Sequence, residues 1–331
     1  MRFLIKSFFL LLLSFAAAIG YIYWWAGQPL ALNAATVEFR IPPGSSLRAA
    51  IGQIREAGVE VEPRLLLILA RLNKAETGIK AGSYAIDRGI SAQQLLEKLT
   101  RGQVSLGELT LVEGWTFRQW RNRLDQHPDL RHDTRGLPEA EILAKLGIAA
   151  PRLEGLLFPD TYLFDKQSSD LDLLARAYRT QQRRLEAAWA QRADGLPYKT
   201  PYEALIMASI VEKETGRESD RTMVAAVFVN RLRGGMLLQT DPTVIYGLGE
   251  QFDGNLRKRD LLADTPYNTY TRAGLPPTPI AMAGLASIQA ALHPAADNAL
   301  YFVARGDGSS QFSRTLDDHN RAVNKYQRGG K

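Results

Sequence analysis

The 331-residue sequence contains no cysteine, which excludes disulfides, thiolate nucleophiles and cysteine-ligated metals together. Histidine is scarce. Only His127, His132, His293 and His319 occur, with no pair at His-x-x-x-His spacing, so neither a metal site nor a cofactor is expected. Low-complexity tracts and internal repeats are missing, which argues against a disordered chain or a repeat array. A strong charge imbalance is missing too. The formal net charge is +6, and two of the cations, Arg2 and Lys6, precede an apolar segment. So small an excess, mixed in sign, does not support a nucleic-acid partner. It suits a surface working near anionic lipid or an acidic polymer.

The first thing present is that apolar segment. Ser7 to Trp25 are nineteen consecutive uncharged positions rich in Leu, Phe and Ala. At about 1.5 Å per residue such a helix spans roughly 28 Å, close to the ~30 Å hydrocarbon thickness of a bilayer. Arg2 and Lys6 lie before it, and Tyr21, Tyr23, Trp24 and Trp25 gather at its far end. The pattern predicts a transmembrane helix over 7–25, with residues 1–6 in the cytoplasm and everything beyond outside. A cleaved signal peptide would have a shorter apolar core, with small residues where the aromatics stand.

Residues 26–36 read as a linker. From 37 to 107 the pattern is β-α-α-β-α. A strand at Val37–Ile41 is followed by a turn at 42–46 and a helix to about Glu56. A second apolar helix covers Pro63–Leu72, a strand opens near Lys80–Tyr84, and Ser91 with Gln94 boxes the start of a helix ending near Gly102. The expected fold class is mixed α+β: the membrane helix, this small unit, and a larger α+β domain over 108–331.

In the larger domain, Thr116 and Gln119 form another capping box, with Trp115 placed to staple it. Residues 153–162 mix aromatics, acids and a proline. Such a mixture lines sugar sites or simply closes a core, and composition favours the core. An amphipathic helix runs over 170–191. Thr200-Pro201 with Glu203 then opens a helix in which only Ser209 is polar between Ala204 and Val211, so it is buried, and Gly216 reads as its left-handed stop. Glu212 and Glu214 fall in its last turn. The negative end of the helix dipole and an apolar setting both disfavour an ionised carboxylate, and a carboxyl that keeps its proton is what a general acid requires. Residues two apart face different ways, so one of the two points into a cleft. Spacing does not say which. Asp241 and Thr243 read as helix caps.

Eight short stretches carry a resemblance in their order and spacing. They are Leu-Glu-Gly-Leu-Leu-Phe-Pro-Asp-Thr-Tyr at 153–162, Ala-Ser-Ile-Val-Glu-Lys-Glu-Thr at 208–215, Val-Asn-Arg-Leu at 229–232 and Leu-Gln-Thr-Asp-Pro-Thr-Val-Ile-Tyr-Gly at 238–247. Tyr-Asn-Thr-Tyr at 267–270, Gly-Leu-Pro-Pro at 274–277, His-Pro at 293–294 and Tyr-Phe-Val-Ala at 301–304 complete them. Together these resemble the endolytic murein transglycosylase (YceG-like) family, and 37–107 resembles the LysM-like subdomain of membrane-bound cell-wall enzymes. That subdomain either binds glycan or acts as a spacer.

The resemblance implies cleavage of the β-1,4 bond between N-acetylmuramic acid and N-acetylglucosamine within peptidoglycan strands, leaving 1,6-anhydromuramoyl ends. It implies Glu212 as the catalytic acid, and cell-wall synthases (penicillin-binding proteins) as partners of a chain held in the inner membrane with its catalytic domain in the periplasm. Glu214, Asn230, Gln239, Asp241, Tyr246, Tyr267 and Asn268 are expected to support Glu212 or bind sugar groups, unless their roles are structural. A lysozyme-like hydrolase, with Asp241 as second carboxylate, and a non-catalytic glycan-binding scaffold are the alternatives.

Overall fold

The structure is a computed structural model and describes residues 2–329. Met1, in the expected cytoplasmic segment, and residues 330–331, at the end of the expected catalytic domain, lie outside the described residues. The chain forms two compact units. One holds the chain up to Glu108 together with Asp129–Arg131 and Leu163–Ser168, and the other holds Leu109–Pro128, His132–Tyr162 and Ser169 onward.

The first unit starts with α1 (Arg2–Ala26), longer at its beginning than the apolar run predicts. Ile5–Ala26 is long and apolar enough to cross a membrane. Phe8, Phe9 and Leu10 to Leu13 are exposed along it, whereas Ile22 and Ala26 are buried in the core of the unit that follows. That core is built by β1 (Ala31–Leu32), β2 (Thr36–Ile41), α2 (Leu47–Glu56), β3 (Val59–Glu60), α3 (Pro63–Leu72), β4 (Gly82–Asp87) and α4 (Ala92–Arg101). β2 and β4 pair antiparallel from Thr36–Asp87 to Ile41–Gly82. Alternation along β2 turns Val37, Phe39 and Ile41 inward, where Phe39 stacks on Tyr84 at 5.7 Å. The Ser91–Gln94 capping box forms as read, and α4 ends at Gly102 with φ 67°.

β5 (Leu106–Leu111) pairs with β7 (Asp160–Asp165). Between them come α5 (Phe117–Asp125), β6 (Leu130–Arg131) and α6 (Glu139–Leu146), and after them β8 (Ser168–Ser169) and α7 (Asp170–Ala190). The second unit continues with α8 (Pro201–Glu214), α9 (Glu218–Arg233), α10 (Asp241–Leu248), α11 (Lys258–Leu262) and α12 (Leu285–Leu292). It closes with the hairpin β9 (Tyr301–Ala304) and β10 (Ser310–Ser313), then α13 (Leu316–Tyr326).

α8 is the axis of this unit. All eight residues from Ala204 to Val211 are buried, and α7, α9, α10 and α12 pack around them. An all-round apolar helix has no solvated face, so neighbours must cover it on every side. The single polar residue of the run from Ala204 to Val211 is satisfied, since Ser209 donates to Ile206 O at 2.7 Å and accepts from Ile280 N at 3.0 Å.

The ends of α8 differ from the sequence reading. Thr200 caps as expected, but the Glu203 carboxylate accepts from Lys199 N, one residue before the cap. Gly216 is not a left-handed stop. The helix ends because Thr215 is extended, with φ −145° and ψ 128°, and its hydroxyl accepts from Arg217 N at 3.0 Å. α10 is also capped differently. Asp241 lies inside the helix, and Thr243 donates back to Thr240 O at 2.8 Å.

Candidate active site

The last turn of α8 separates the two glutamates, as residues two apart require. Glu214 turns into the protein. Its Oε1 accepts from the Thr240 hydroxyl, and burial pushes its carboxyl above the usual range, with Thr240 opposing and Asp241 adding to the rise. Glu212 is half-buried on another face, and its Oε2 accepts from Gly284 N at 3.0 Å. Gly284 is the N-cap of α12 and brings no side chain to that end, so the carboxylate meets the positive end of the α12 dipole. Gly114, with φ 71°, closes the other side of Glu212: a Cβ there would stand 3.8 Å from Glu212 Cγ. The Gly114 turn is itself pinned. Gly114 N donates to Met282 O and Met282 N to Trp115 O, each at 2.8 Å, and Lys213 Nζ reaches Gly114 O at 3.1 Å.

Lys213 and Thr116 flank this point and also line a cavity of about 830 Å³. That volume fits a small-molecule or oligosaccharide site. Glu212 directly precedes Lys213 but is not itself part of the lining. Phe117, Tyr246, Phe252 and Tyr267 supply aromatic surface, and Arg118, Arg121, Arg152, Glu139, Glu154 and Glu250 supply charge. Tyr246 and Tyr267 meet edge to face at 4.9 Å, and the Tyr267 hydroxyl pairs with Thr278 Oγ1 at 2.9 Å.

Of the residues singled out in the sequence, Tyr246 and Tyr267 line this cavity. The others are engaged within the fold, by backbone groups or by other side chains. Asn230 Nδ2 donates to Asp297 O at 2.8 Å and Ala299 O at 3.0 Å. Gln239 is left-handed at φ 52°, its N–H bonds Thr269 O, and its side chain accepts from Arg231. Asp241 accepts from the Tyr270 hydroxyl at 2.5 Å. Asn268, fully buried, donates to the carbonyls of Asp260, Leu261 and Ala263 and accepts from Tyr270 N. Asn268→Ala would remove the donor from three part-buried carbonyls at once, and we expect a loss of about 2 kcal/mol in denaturant unfolding.

Two acids missing from that set stand out. Glu154 lines the cavity and is 4% exposed. Its Oε1 accepts from Phe117 N at 3.0 Å at the start of α5. Burial pushes its carboxyl up to about 7, against relief from Phe117 N–H, the Tyr246 hydroxyl and the Arg152 charge. The signal in the sequence was the acid inside Leu153-Glu154-Gly155, whose composition reads equally as core. Gly155 is needed there because its φ is 76° and a Cβ would lie 2.3 Å from Pro279. Glu113, beside Gly114, is the second acid, and no local pattern in the sequence marks it.

The raised Glu154 carboxyl sets a pH dependence of stability. Unfolded, this group ionises near the ordinary glutamate value of 4.5; folded, it does so near 7. The native state holds the extra proton between those values, so stability falls as pH rises from about 4.5 to about 7 and is level above. Thermal unfolding of Glu154→Gln is expected to show a flatter profile in that window than the parent.

Asp125, His132 and Asp170 offer ligand atoms within 4.8 Å of one another. Asp170 already accepts from Thr134 N and Oγ1, the latter at 2.6 Å. That leaves Asp125 and His132 to do what a structural site does with about four ligands.

The sequence pattern of the YceG-like family matches residues 39–325. The endolytic murein transglycosylase of Bacillus subtilis (strain 168) is 33% identical over 88% of this chain and 85% of its own length. That of Streptococcus pneumoniae serotype 2 is 29% identical over 96% of this chain, which spans 64% of the pneumococcal protein. A 2.6 Å crystal structure of a yceG-like protein from Listeria monocytogenes aligns with TM-score 0.55 at 30% identity, over 87% of this chain and 98% of that one.

Proposed function

The chain belongs to the YceG-like family, and from that premise we propose that it is an endolytic transglycosylase that cuts peptidoglycan strands, with Glu212 as its proton donor. The observation that carries this reading is one carboxyl at the end of a buried helix, held by Gly284 N–H at 3.0 Å, with the next residue, Lys213, lining an aromatic-walled cavity. In the proposed reaction Glu212 protonates the glycosidic oxygen between N-acetylmuramic acid and N-acetylglucosamine as the C1–O4 bond breaks. The C6 hydroxyl of the same muramoyl sugar then closes onto C1, and its proton returns to the Glu212 carboxylate. No water is consumed, because the nucleophile is already in place within the substrate. Tyr246 and Tyr267 offer ring faces to the sugars, and Glu214 fixes the end of α8 through Thr240.

α1 serves as a membrane anchor in this reading. Removing it as a leader would strip Ile22 and Ala26 from the core of the first unit. Lys6 before the apolar run and Tyr21, Tyr23 and Trp24 at its far end support an N-terminus in the cytoplasm and a periplasmic catalytic unit. The β2-α2-α3-β4-α4 arrangement fits a LysM-like subdomain, and cell-wall synthases are the natural partners of an enzyme that ends growing strands.

A second reading, hydrolysis, takes its support from Glu113 near Glu212 rather than from Asp241, which is engaged by Tyr270. Digestion of uncrosslinked strands followed by mass spectrometry separates the two. The expected products carry 1,6-anhydromuramoyl ends; reducing ends that have gained water would replace this mechanism with hydrolysis.

A further inference from the structure

The aromatic-walled cavity is lined by Lys213 and not by Glu212, the residue before it. With Glu212 as proton donor, the cavity then receives a group next to the scissile linkage rather than the linkage itself. Its charge indicates which group. Arg118, Arg121, Arg152 and Lys213 all line it, and all belong to the second unit. Arg118 is paired with Glu250 at 2.9 Å. Among the described residues, the other three form no salt bridge. Arg121 donates to Thr134 O and Leu137 O, Lys213 donates to Gly114 O, and the Arg152 guanidinium lies against the Tyr246 hydroxyl. Neutral oxygens orient these groups but leave their charge in place.

The remaining acids cancel that charge only in part. Glu139 accepts from Leu153 N, and Glu154 is buried, its carboxyl pushed up to about 7, so it is incompletely ionised at neutral pH. Both act on Arg152 without pairing with it. The N-terminus of α5 opens onto the same space through Thr116 to Gln119 and adds its positive end. A concave site with an excess of one sign concentrates ligands of the other.

The sugar rings of a peptidoglycan strand carry neutral acetamido and hydroxyl groups. Its anionic groups are the carboxylates of the peptide stems, which hang from the lactyl group of the muramoyl sugar whose bond is cut. We propose that this cavity binds the acidic peptide stem of that sugar, with Arg152 taking a stem carboxylate. Arg152 is exposed, and a guanidinium has five donors, so it can keep the Tyr246 hydroxyl and still meet a carboxylate side-on. Strands that carry their stems are thereby held in preference to stripped ones. The inference rests on the proposed peptidoglycan substrate, which lysis and hydrolysis share.

The test is the kinetics of the full-length protein, in detergent micelles, on three preparations of uncrosslinked strands. One has stems with free carboxylates, one has the same carboxylates converted to amides, and one is stripped of stems and keeps only the lactyl carboxylate. We expect amidation to raise KM about tenfold at low ionic strength, with kcat little changed, and added salt to narrow the gap. Arg152→Gln should raise KM by a similar factor on the acidic stems and by far less on the other two. Arg152→Lys keeps a charge without the fork and should recover part of the loss. Equal KM for acidic and amidated stems overturns the proposal. So does an Arg152→Gln loss of the same size on all three substrates, which is what a damaged fold gives. A loss on stripped strands as large as on acidic stems would assign Arg152 to the lactyl carboxylate and remove the stem as its ligand. Glu212→Gln is measured alongside. If that variant keeps full activity, the functional reading itself falls; if it is inactive while amidation changes nothing, only the stem site falls.

Discussion

Glu212→Gln is expected to cut strand-cleaving activity by about 10³-fold, the contribution of a positioned proton donor to a bond that leaves poorly without one. Stability should barely change. The glutamine carbonyl can still accept the Gly284 N–H, and no buried apolar contact is lost. The measurement is single-turnover cleavage of defined glycan strands, with thermal unfolding alongside. An undiminished rate would remove Glu212 from the chemistry, and a parent protein inert on every strand would point to a glycan-binding scaffold. The amide is the informative substitution because it keeps the volume and one acceptor while removing the transferable proton.

Trp120→Ala is expected to have the largest effect on stability. The Trp120 side chain is fully buried on α5, and its Nε1 donates to Val112 O at 3.1 Å. Truncation leaves a cavity and an unpaired carbonyl, with a cost of about 3–5 kcal/mol in denaturant unfolding. Activity should fall as well, because Val112 is followed directly by Glu113 and Gly114, the residues set against Gly284 and Glu212. Trp120→Phe separates the two effects. It refills most of the space and loses only the hydrogen bond, so the cost should drop to about 1–2 kcal/mol. If Trp120→Ala left the unfolding midpoint unmoved, α5 would not be the support of the 112–116 turn.

The candidate site was legible in the sequence where its signals are local. Thr116 and Gln119 announce their capping box within four residues, and the box forms. The apolar run from Ala204 to Val211 requires a buried helix, and every residue of it is buried. Propensity was a poorer guide to chain direction after a helix, as Gly216 shows: an extended Thr215 ended α8 before a left-handed glycine was needed. The same holds for Asn230, Gln239 and Asn268. Their side-chain amides suit sugar hydroxyls and backbone carbonyls equally, and the structure gives them carbonyls 5 to 69 positions away in the chain, or, for Gln239, an arginine.

The sequence by itself determined that the chain has one helix able to span a membrane, a small α/β unit after it, and a larger unit built around a buried helix ending in two acids. Each of those follows from the order of apolar and polar residues over a few turns, which covalent neighbours fix. That Glu212 and Glu113 both meet Gly284, and that Glu154 lines the cavity, only the tertiary structure decided. Those positions meet through packing across as many as 171 residues of chain between Glu113 and Gly284, and no local periodicity encodes which distant loops a folded core will bring to one point.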